Sequence, residues 1–163
     1  RRVLFRSGLA AAVHDSTDLD SVVEQRLDFW QATADPNEQR LRFETTHPHL
    51  ALQMPRHDVE QLLDIALDNA LRYSGTGTTV IVSTVPTDAG IDLTVSDNGP
   101  GLPADAVSQA ANRFWRGHDD SEGTGLGLAI ATEIAAAHGG LASVGRSPDG
   151  GLAVRYHLPA STS

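Results

Sequence analysis

Two glycine-rich segments constrain the fold of this chain more than any other feature of its sequence. The first is Asp97–Pro103, with the sequence DNGPGLP, and the second is Gly123–Leu128, with the sequence GTGLGL. Upstream of both lies a helical stretch, Leu67–Ser74, that ends in polar residues. Each segment alone is weak evidence for a ligand-binding site, since Asn-Gly turns and glycine-rich loops also occur without a ligand. The occurrence of all three segments in this order along one chain is stronger evidence for such a site.

The composition is that of an ordinary globular domain. The chain has 163 residues, with 40% hydrophobic and 20% charged residues, which is enough for one domain with a core. Its formal net charge of -9 argues against nucleic acid as the main partner, because phosphate backbones bind basic surfaces. The absence of cysteine excludes disulfides and cysteine-ligated zinc. No apolar run is long enough to cross a bilayer.

The N-terminus stands apart from the rest of the sequence. Arg1–Ser7 resembles the translation of a sequencing-adapter oligonucleotide, with a native basic helix end as the alternative. We therefore expect residues 1–17 to include a non-native start, residues 18–159 to form one domain, and residues 160–163 to be a tail.

Apolar residues recur at three- and four-residue steps in three stretches, as is typical of amphipathic helices. These predicted helices cover Asp18 to about Thr33, Arg56 to Tyr73, and Gly125 to His138. A further short helical piece is predicted near Ala104–Ala111.

Alternating or β-branched stretches predict six strands. We expect Arg40–Thr45 to pair with Leu50–Met54 across a turn, and Thr78–Val85 to pair with Ile91–Ser96 as a hairpin. The last two strands are Leu141–Val144 and Gly151–Leu158. Together these elements predict a two-layer α/β (α+β) sandwich, with one mostly antiparallel sheet and helices on one face.

The helix that ends at Tyr73 presents one face of residues able to bind a nucleotide. Asn69 shares this face with Ile65, Arg72 and Tyr73, because positions three and four apart are neighbours on a helix. An amide oxygen can ligate magnesium, an arginine can neutralise phosphate, and a tyrosine can lie against a ribose or base. The alternative interpretation is a plain amphipathic helix with a late polar residue.

The two glycine segments have complementary chemistry. Asp97 follows a strand, and a carboxylate there can accept a hydrogen bond from the exocyclic amine of adenine. Gly123–Leu128 opens a helix, whose first N–H groups suit a triphosphate. No lysine follows these glycines, so the segment is not a P-loop, and its context differs from that of a dinucleotide fingerprint. Between the segments, Phe114 and Trp115 either anchor a mobile loop or simply pack on the core, and Arg116 can reach toward phosphates.

These residues together resemble the catalytic and ATP-binding domain of bacterial sensor histidine kinases, within the GHKL superfamily. The resemblance covers about Asp18 to Pro159. The stretches that match the family's N, G1, F and G2 boxes are, in that order, Asn69-Ala70, Asp97–Gly101, Phe114–Arg116 and Gly123–Leu128.

The resemblance implies a Bergerat-type ATP-binding fold that holds ATP and Mg²⁺. It implies that Asn69, Arg72 and Arg116 act in catalysis, and that Asn69 also holds the metal. The residues implied in nucleotide binding are Asn69, Arg72, Tyr73, Asp97, Gly99, Gly101, Leu102, Thr124, Gly125, Leu126, Gly127 and Leu128.

The resemblance also implies partners. The γ-phosphoryl group would pass to a histidine on upstream dimerisation helices, of which residues 1–17 would hold only the truncated end, and then to a response regulator. The full-length parent would be a homodimer, with this domain in the cytoplasm and an anchor in the plasma membrane.

One position departs from the family pattern. Four residues before Asn69, where the family usually has a polar residue, this chain has Ile65, which cannot ligate magnesium. A degenerate nucleotide-binding or docking module is therefore one alternative. A gyrase-type ATPase is disfavoured, because its glutamate base would occupy the same position. An anti-sigma-factor serine kinase has the same fold, but the F box and the form of Gly123–Leu128 favour the histidine kinase.

Overall fold

A computed structural model of the chain describes residues 16–100 and 124–159. Within these residues three α-helices and seven β-strands follow one another, with a short 3-10 helix at Asp35–Asn37. In chain order they are β1 (Thr17–Asp18), α1 (Leu19–Ala34), β2 (Arg40–Thr45), β3 (Ala51–Leu52), α2 (Arg56–Tyr73), β4 (Thr79–Pro86), β5 (Gly90–Asp97), α3 (Thr124–Ala137), β6 (Leu141–Arg146) and β7 (Leu152–Pro159).

Five strands form one sheet in the order β2-β4-β5-β7-β6. The β2–β4 pair is parallel and the other three pairs are antiparallel. The register aligns Val82 with Val95, and Val95 with Val154. These side chains therefore lie in one row on the same face of the sheet, and all three are buried.

The helices cover that buried face and complete a two-layer sandwich. The apolar side of α2 lies at the centre, with Leu62, Leu63 and Ala66 fully buried. Tyr156 of β7 is also fully buried, and its hydroxyl donates to the carbonyl of Leu62 at 2.9 Å. This bond pairs a polar group that would otherwise be buried alone, and it fixes the middle of α2 over the sheet.

The predicted two-layer architecture is confirmed, as are the three main helices and the β4–β5 hairpin. The predicted helix at Ala104–Ala111 lies outside the described residues.

The predicted pairing of Arg40–Thr45 with Leu50–Met54 is wrong. Arg40–Thr45 instead pairs in parallel with β4, and Ala51–Leu52 pairs with β1 in a separate two-stranded sheet. Alternation shows which side chains share a face, but it does not select a partner. Here α2 forms the crossover that a parallel pair requires, and the chain between β2 and β3 only leads into it.

Among residues 16–100 and 124–159, no helix combines the length and apolar character that crossing a membrane requires.

Candidate functional site

The last three turns of α2 bring the sequence motifs together. A Cβ at Gly127, in the first half of α3, would lie 3.6 Å from the Cγ2 atom of Ile65. At the other end, the Cα atom of Ser74 would lie 3.0 Å from a Cβ at Gly99. Ile65 and Ser74 are roughly 14 Å apart along a helix axis at 1.5 Å per residue. The structure therefore places Gly99 and Gly127, one from each glycine segment, beside one stretch of α2.

Asn69 lies between these two contacts. The residue is 9% exposed, and its side-chain amide makes no hydrogen bond within the described part of the chain. Among the described residues, the fully buried side-chain polar atoms without a partner belong to Asp20 and Gln39, so the Asn69 amide keeps some accessible surface through which a ligand can pair with it. Its oxygen suits Mg²⁺, which prefers hard oxygen ligands.

Arg72 and Tyr73 lie exposed at the end of α2. The Arg72 guanidinium forms an ion pair with Asp68, one turn earlier, at 3.1 Å. Both side chains are about half exposed, so the pair is weak and an incoming phosphate can compete for the arginine. Tyr73 keeps 43% of its surface exposed.

Asp97 ends β5 and is only 6% exposed. Its Oδ1 atom accepts the backbone N–H of Gly99 at 2.9 Å, and its carboxylate also accepts the N–H of Leu152. Burial raises the pKa of this carboxyl, and the two N–H donors oppose that rise. The result is a fixed, mostly buried acceptor at the rim of the sheet.

Gly99 allows the close approach between the Asp97 turn and α2. A Cβ there would lie 3.0 Å from Oδ1 of Asp97 and closer still to the carbonyl oxygen of Ser74. The neighbouring Asn98 closes the strand end, because its side-chain oxygen accepts the N–H of Thr79 at 2.7 Å. This turn is therefore held from both sides.

Gln39 supports the site from beneath, and the sequence pattern does not predict this role. Its side-chain nitrogen donates to the carbonyl of Leu71 at 2.9 Å, to the hydroxyl of Ser74 at 3.1 Å and to the carbonyl of Gly75 at 3.1 Å. The residue is buried, and it satisfies groups that the end of a helix leaves without partners. A polar residue before a strand gives no sequence signal for such a role.

A second unpredicted contact joins the far ends of the two site helices. The Nε2 atom of His138, just after α3, lies 2.8 Å from the Oδ2 atom of Asp58 in the first turn of α2. Gly139 has a φ of 78°, which suits the left-handed residue that ends many helices. The sequence pattern predicts that α3 ends at this segment, but it does not predict the contact between His138 and α2.

The remaining predicted site residues fall into two groups. Thr124, Gly125 and Leu126 form the start of α3, and Leu128 is 4% exposed, so its side chain packs in the core. Gly101, Leu102 and Arg116 lie outside the described residues.

Comparison with known proteins identifies the family. Residues 55–162 match the family described as histidine kinase-, DNA gyrase B-, and HSP90-like ATPase. The signal transduction histidine-protein kinase AfsQ2 of Streptomyces coelicolor is 34% identical over 164 residues, which cover 98% of this chain and 29% of that protein. The sensor-type histidine kinase PrrB of Mycobacterium leprae is 40% identical over 99 residues, covering 60% of this chain and 22% of that protein.

Solved structures show the same fold. The catalytic domain of histidine kinase ThkA superposes with a TM-score of 0.79 at 19% identity, covering 90% of this chain and 97% of that one. The ATP binding domain of PrrB from Mycobacterium tuberculosis superposes with a TM-score of 0.70 at 24% identity, with the same coverage of 90% and 97%.

The chain spans less than a third of the length of these curated relatives, at 29% and 22%, but nearly all of the solved catalytic domains. The sequence match covers α2, the Asp97 turn and α3, the elements that meet at the candidate site. The chain therefore belongs to the family of histidine kinase-, DNA gyrase B- and HSP90-like ATPases, as an ATP-binding catalytic domain of the sensor histidine kinase kind.

Proposed function

We propose that this domain binds ATP between α2 and α3 and presents its γ-phosphoryl group to a histidine on another segment of a larger kinase. The observation that carries the proposal is the buried Asp97 carboxylate, held by two backbone N–H groups beside the end of α2. A desolvated acceptor with a fixed direction suits recognition of one flat base, and phosphoryl transfer depends on positioning and charge neutralisation.

Each of the candidate side chains on or beside α2 is assigned to one part of the ligand. Asp97 accepts the exocyclic amine of adenine, and Tyr73 flanks the sugar. Asn69 ligates Mg²⁺ through its amide oxygen, which lacks a partner in the described part of the chain. Arg72 leaves its weak pair with Asp68 to neutralise phosphate oxygens.

The start of α3 completes the phosphate side of the proposed site. The first N–H groups of a helix lack partners within it and favour anions, so Thr124–Leu128 would hold the phosphates through the backbone. By resemblance, Gly101 and Leu102 would border the base and Arg116 would approach the γ-phosphate.

Ile65 separates this chemistry from ATP hydrolysis. Its side chain packs against the core near Gly127 and offers neither a ligand for Mg²⁺ nor a base for water. We therefore propose transfer to an acceptor rather than hydrolysis, with Asn69 as the protein's metal ligand on α2. Ile65 also favours the second candidate, a degenerate docking module that binds no nucleotide.

By resemblance, we also propose a phosphoryl acceptor and partners for the parent protein. They are histidine-bearing dimerisation helices, within a homodimer, and a response regulator. A solved relative, ThkA, forms a complex with the response regulator protein TrrA. We further propose that the parent is anchored in the bacterial plasma membrane with this domain in the cytoplasm.

Calorimetry of ATP binding to the whole chain, with and without Mg²⁺, tests the proposal. The variant is Asp97→Asn, and the matched control is Asp92→Asn on the outer face of the same strand, where Asp92 pairs with His157 at 2.8 Å. We expect Mg²⁺-dependent ATP binding in the wild type and the control, and weaker binding by Asp97→Asn. Absence of binding in the wild type would favour the docking module.

A further inference from the structure

Gly151, at the turn before β7, lies against the proposed adenine-binding carboxylate. A Cβ at this position would come within 2.8 Å of the Cγ atom of Asp97, and closer still to its Oδ1 atom and its backbone oxygen. These atoms belong to a buried residue that is hydrogen-bonded on both sides, so they have little room to move. Any side chain at Gly151 would therefore displace Asp97.

Gly151 must be a glycine because there is no room for a Cβ, and not because of its backbone conformation. The preceding Gly150 has a φ of 105°, which disfavours any side chain, whereas Gly151 lacks a positive φ. The turn itself is firmly held, because Ser147 donates its N–H to the carbonyl of Gly151 at 2.7 Å and accepts the N–H of Gly150 at 3.0 Å. The absence of a Cβ thus lets an ordered turn touch Asp97 directly.

The next residue adds a directed contact. Leu152 donates its backbone N–H to the Asp97 carboxylate, and Gly99 donates a second N–H to Oδ1 at 2.9 Å. Both donors are backbone groups on different elements, so together they restrict the rotation of the carboxylate. Gly151 lies beside this pair and keeps the distance short enough for the bond from Leu152.

We propose that Gly151 is a positioning residue that orients Asp97 toward the base, and that it thereby sets the preference of the site for adenine over a 6-oxopurine. This inference rests on the proposed ATP site. A carboxylate accepts a hydrogen bond from a 6-amino group but faces a repelling oxygen in a 6-oxopurine. Loss of an oriented hydrogen bond of this kind reduces discrimination by about tenfold to about a hundredfold.

The test compares ATP with ITP, which differ at this position of the base, by calorimetry on the whole chain. In Gly151→Ala we expect ATP affinity to fall about tenfold or more toward that of ITP, while ITP affinity stays within about twofold. The matched control is Gly145→Ala on β6, where a Cβ would meet nothing within 4 Å. It is expected to keep the wild-type preference.

A double variant separates positioning from general damage. Without the carboxylate there is no preference to lose, so adding Gly151→Ala to Asp97→Ala should leave the ATP-to-ITP ratio unchanged. An undiminished preference in Gly151→Ala would overturn the inference, and so would an equal loss of affinity for both nucleotides. A wild type that binds neither nucleotide would instead refute the proposed function.

Folding of the variants gives a further outcome. If Gly151→Ala fails to fold but Asp97→Ala with Gly151→Ala folds, the conflict is with the carboxylate itself, and the inference stands. If neither folds, the conflict is with the backbone, and a role in base selection is rejected. Thermal melting followed by circular dichroism distinguishes the two.

Discussion

The two ends of the proposed site are held in different ways. At the adenine end, Asp97 is buried, accepts two backbone N–H groups and lies against Gly99 of its own turn and Gly151 of the turn before β7. At the phosphate end, Asn69 has no amide partner in the described part of the chain, and Arg72 is exposed in a weak pair with Asp68. One end is preorganised by backbone, and the other consists of side chains that can rearrange.

This difference suits the two tasks that we propose for the site. Recognition of a rigid base gains from a fixed acceptor, since little entropy is lost on binding. Phosphates and their metal change position during transfer, so side chains that exchange partners are useful there. We therefore expect changes at the adenine end to cost both stability and affinity, and changes at the phosphate end to alter affinity with a smaller effect on stability.

The largest effect is expected from Gln39→Leu, which removes the support beneath the adenine end. Loss of the bonds to Leu71, Ser74 and Gly75 should lower the free energy of unfolding by about 2 kcal/mol. ATP affinity should fall as well, because Ser74 contacts Gly99. Urea denaturation and calorimetry measure both quantities, with Gln31→Leu, at an exposed glutamine, as the control. Unchanged stability would show that the end of α2 does not need this support.

Acidification should act next most strongly, through Asp97 at the adenine end. Burial raises the pKa of Asp97 above its ordinary value of 3.8, so this carboxylate is protonated at a higher pH than an exposed aspartate. The site should lose its preference for ATP over ITP at that same higher pH. In that window the folded state binds the proton more readily than the unfolded state, so stability relative to Asp97→Asn rises as pH falls. Calorimetry and urea titration from about pH 7 to about pH 4 check both signs. A preference that is still undiminished at about pH 4, close to the ordinary aspartate pKa, would contradict this.

An intermediate effect is expected from Ile65→Asn at the phosphate end. The new amide oxygen, one turn before Asn69, should tighten Mg²⁺-dependent ATP binding by about tenfold, at a stability cost of about 1 kcal/mol for the lost packing against the core. Ile65→Val, which keeps an apolar contact, is the matched control. Magnesium titration in the presence of ATP measures the gain, and no gain would mean that this position does not face the metal.

The smallest effect is expected from Asp68→Asn, which frees Arg72. A helical ion pair four residues apart is worth about 0.3–0.5 kcal/mol, so ATP affinity should rise only about twofold. Thermal stability should hardly change, and Arg72→Gln should abolish the gain. A large loss of affinity in Asp68→Asn would instead mean that the carboxylate itself serves the site.

Local periodicity was sufficient to predict the helices and the β4–β5 hairpin, because the residues that define them are neighbours in the chain. It failed for β2, whose partner lies beyond α2. The same limit applies at the site. The glycines around Asp97 suggested a close approach, but the contact between Gly151 and Asp97 joins residues far apart in sequence. The hydrogen bonds from Gln39 to the end of α2 leave no periodic pattern in the sequence, and they form only when the sheet is assembled.

The parallel pairing of β2 with β4 has a consequence for the folding kinetics of the domain. Thr45 and Thr84, joined by a hydroxyl contact of 2.8 Å, are 39 residues apart, and α2 must close the loop between them. Closing such a loop costs entropy before any contact repays it, and long-range strand pairing is slow. The edge strand β2 should therefore dock after the β4–β5 hairpin and exchange its amide hydrogens first in the native state. The residue that supports the nucleotide site from below, Gln39, immediately precedes this strand, so the support should form only after the hairpin has folded.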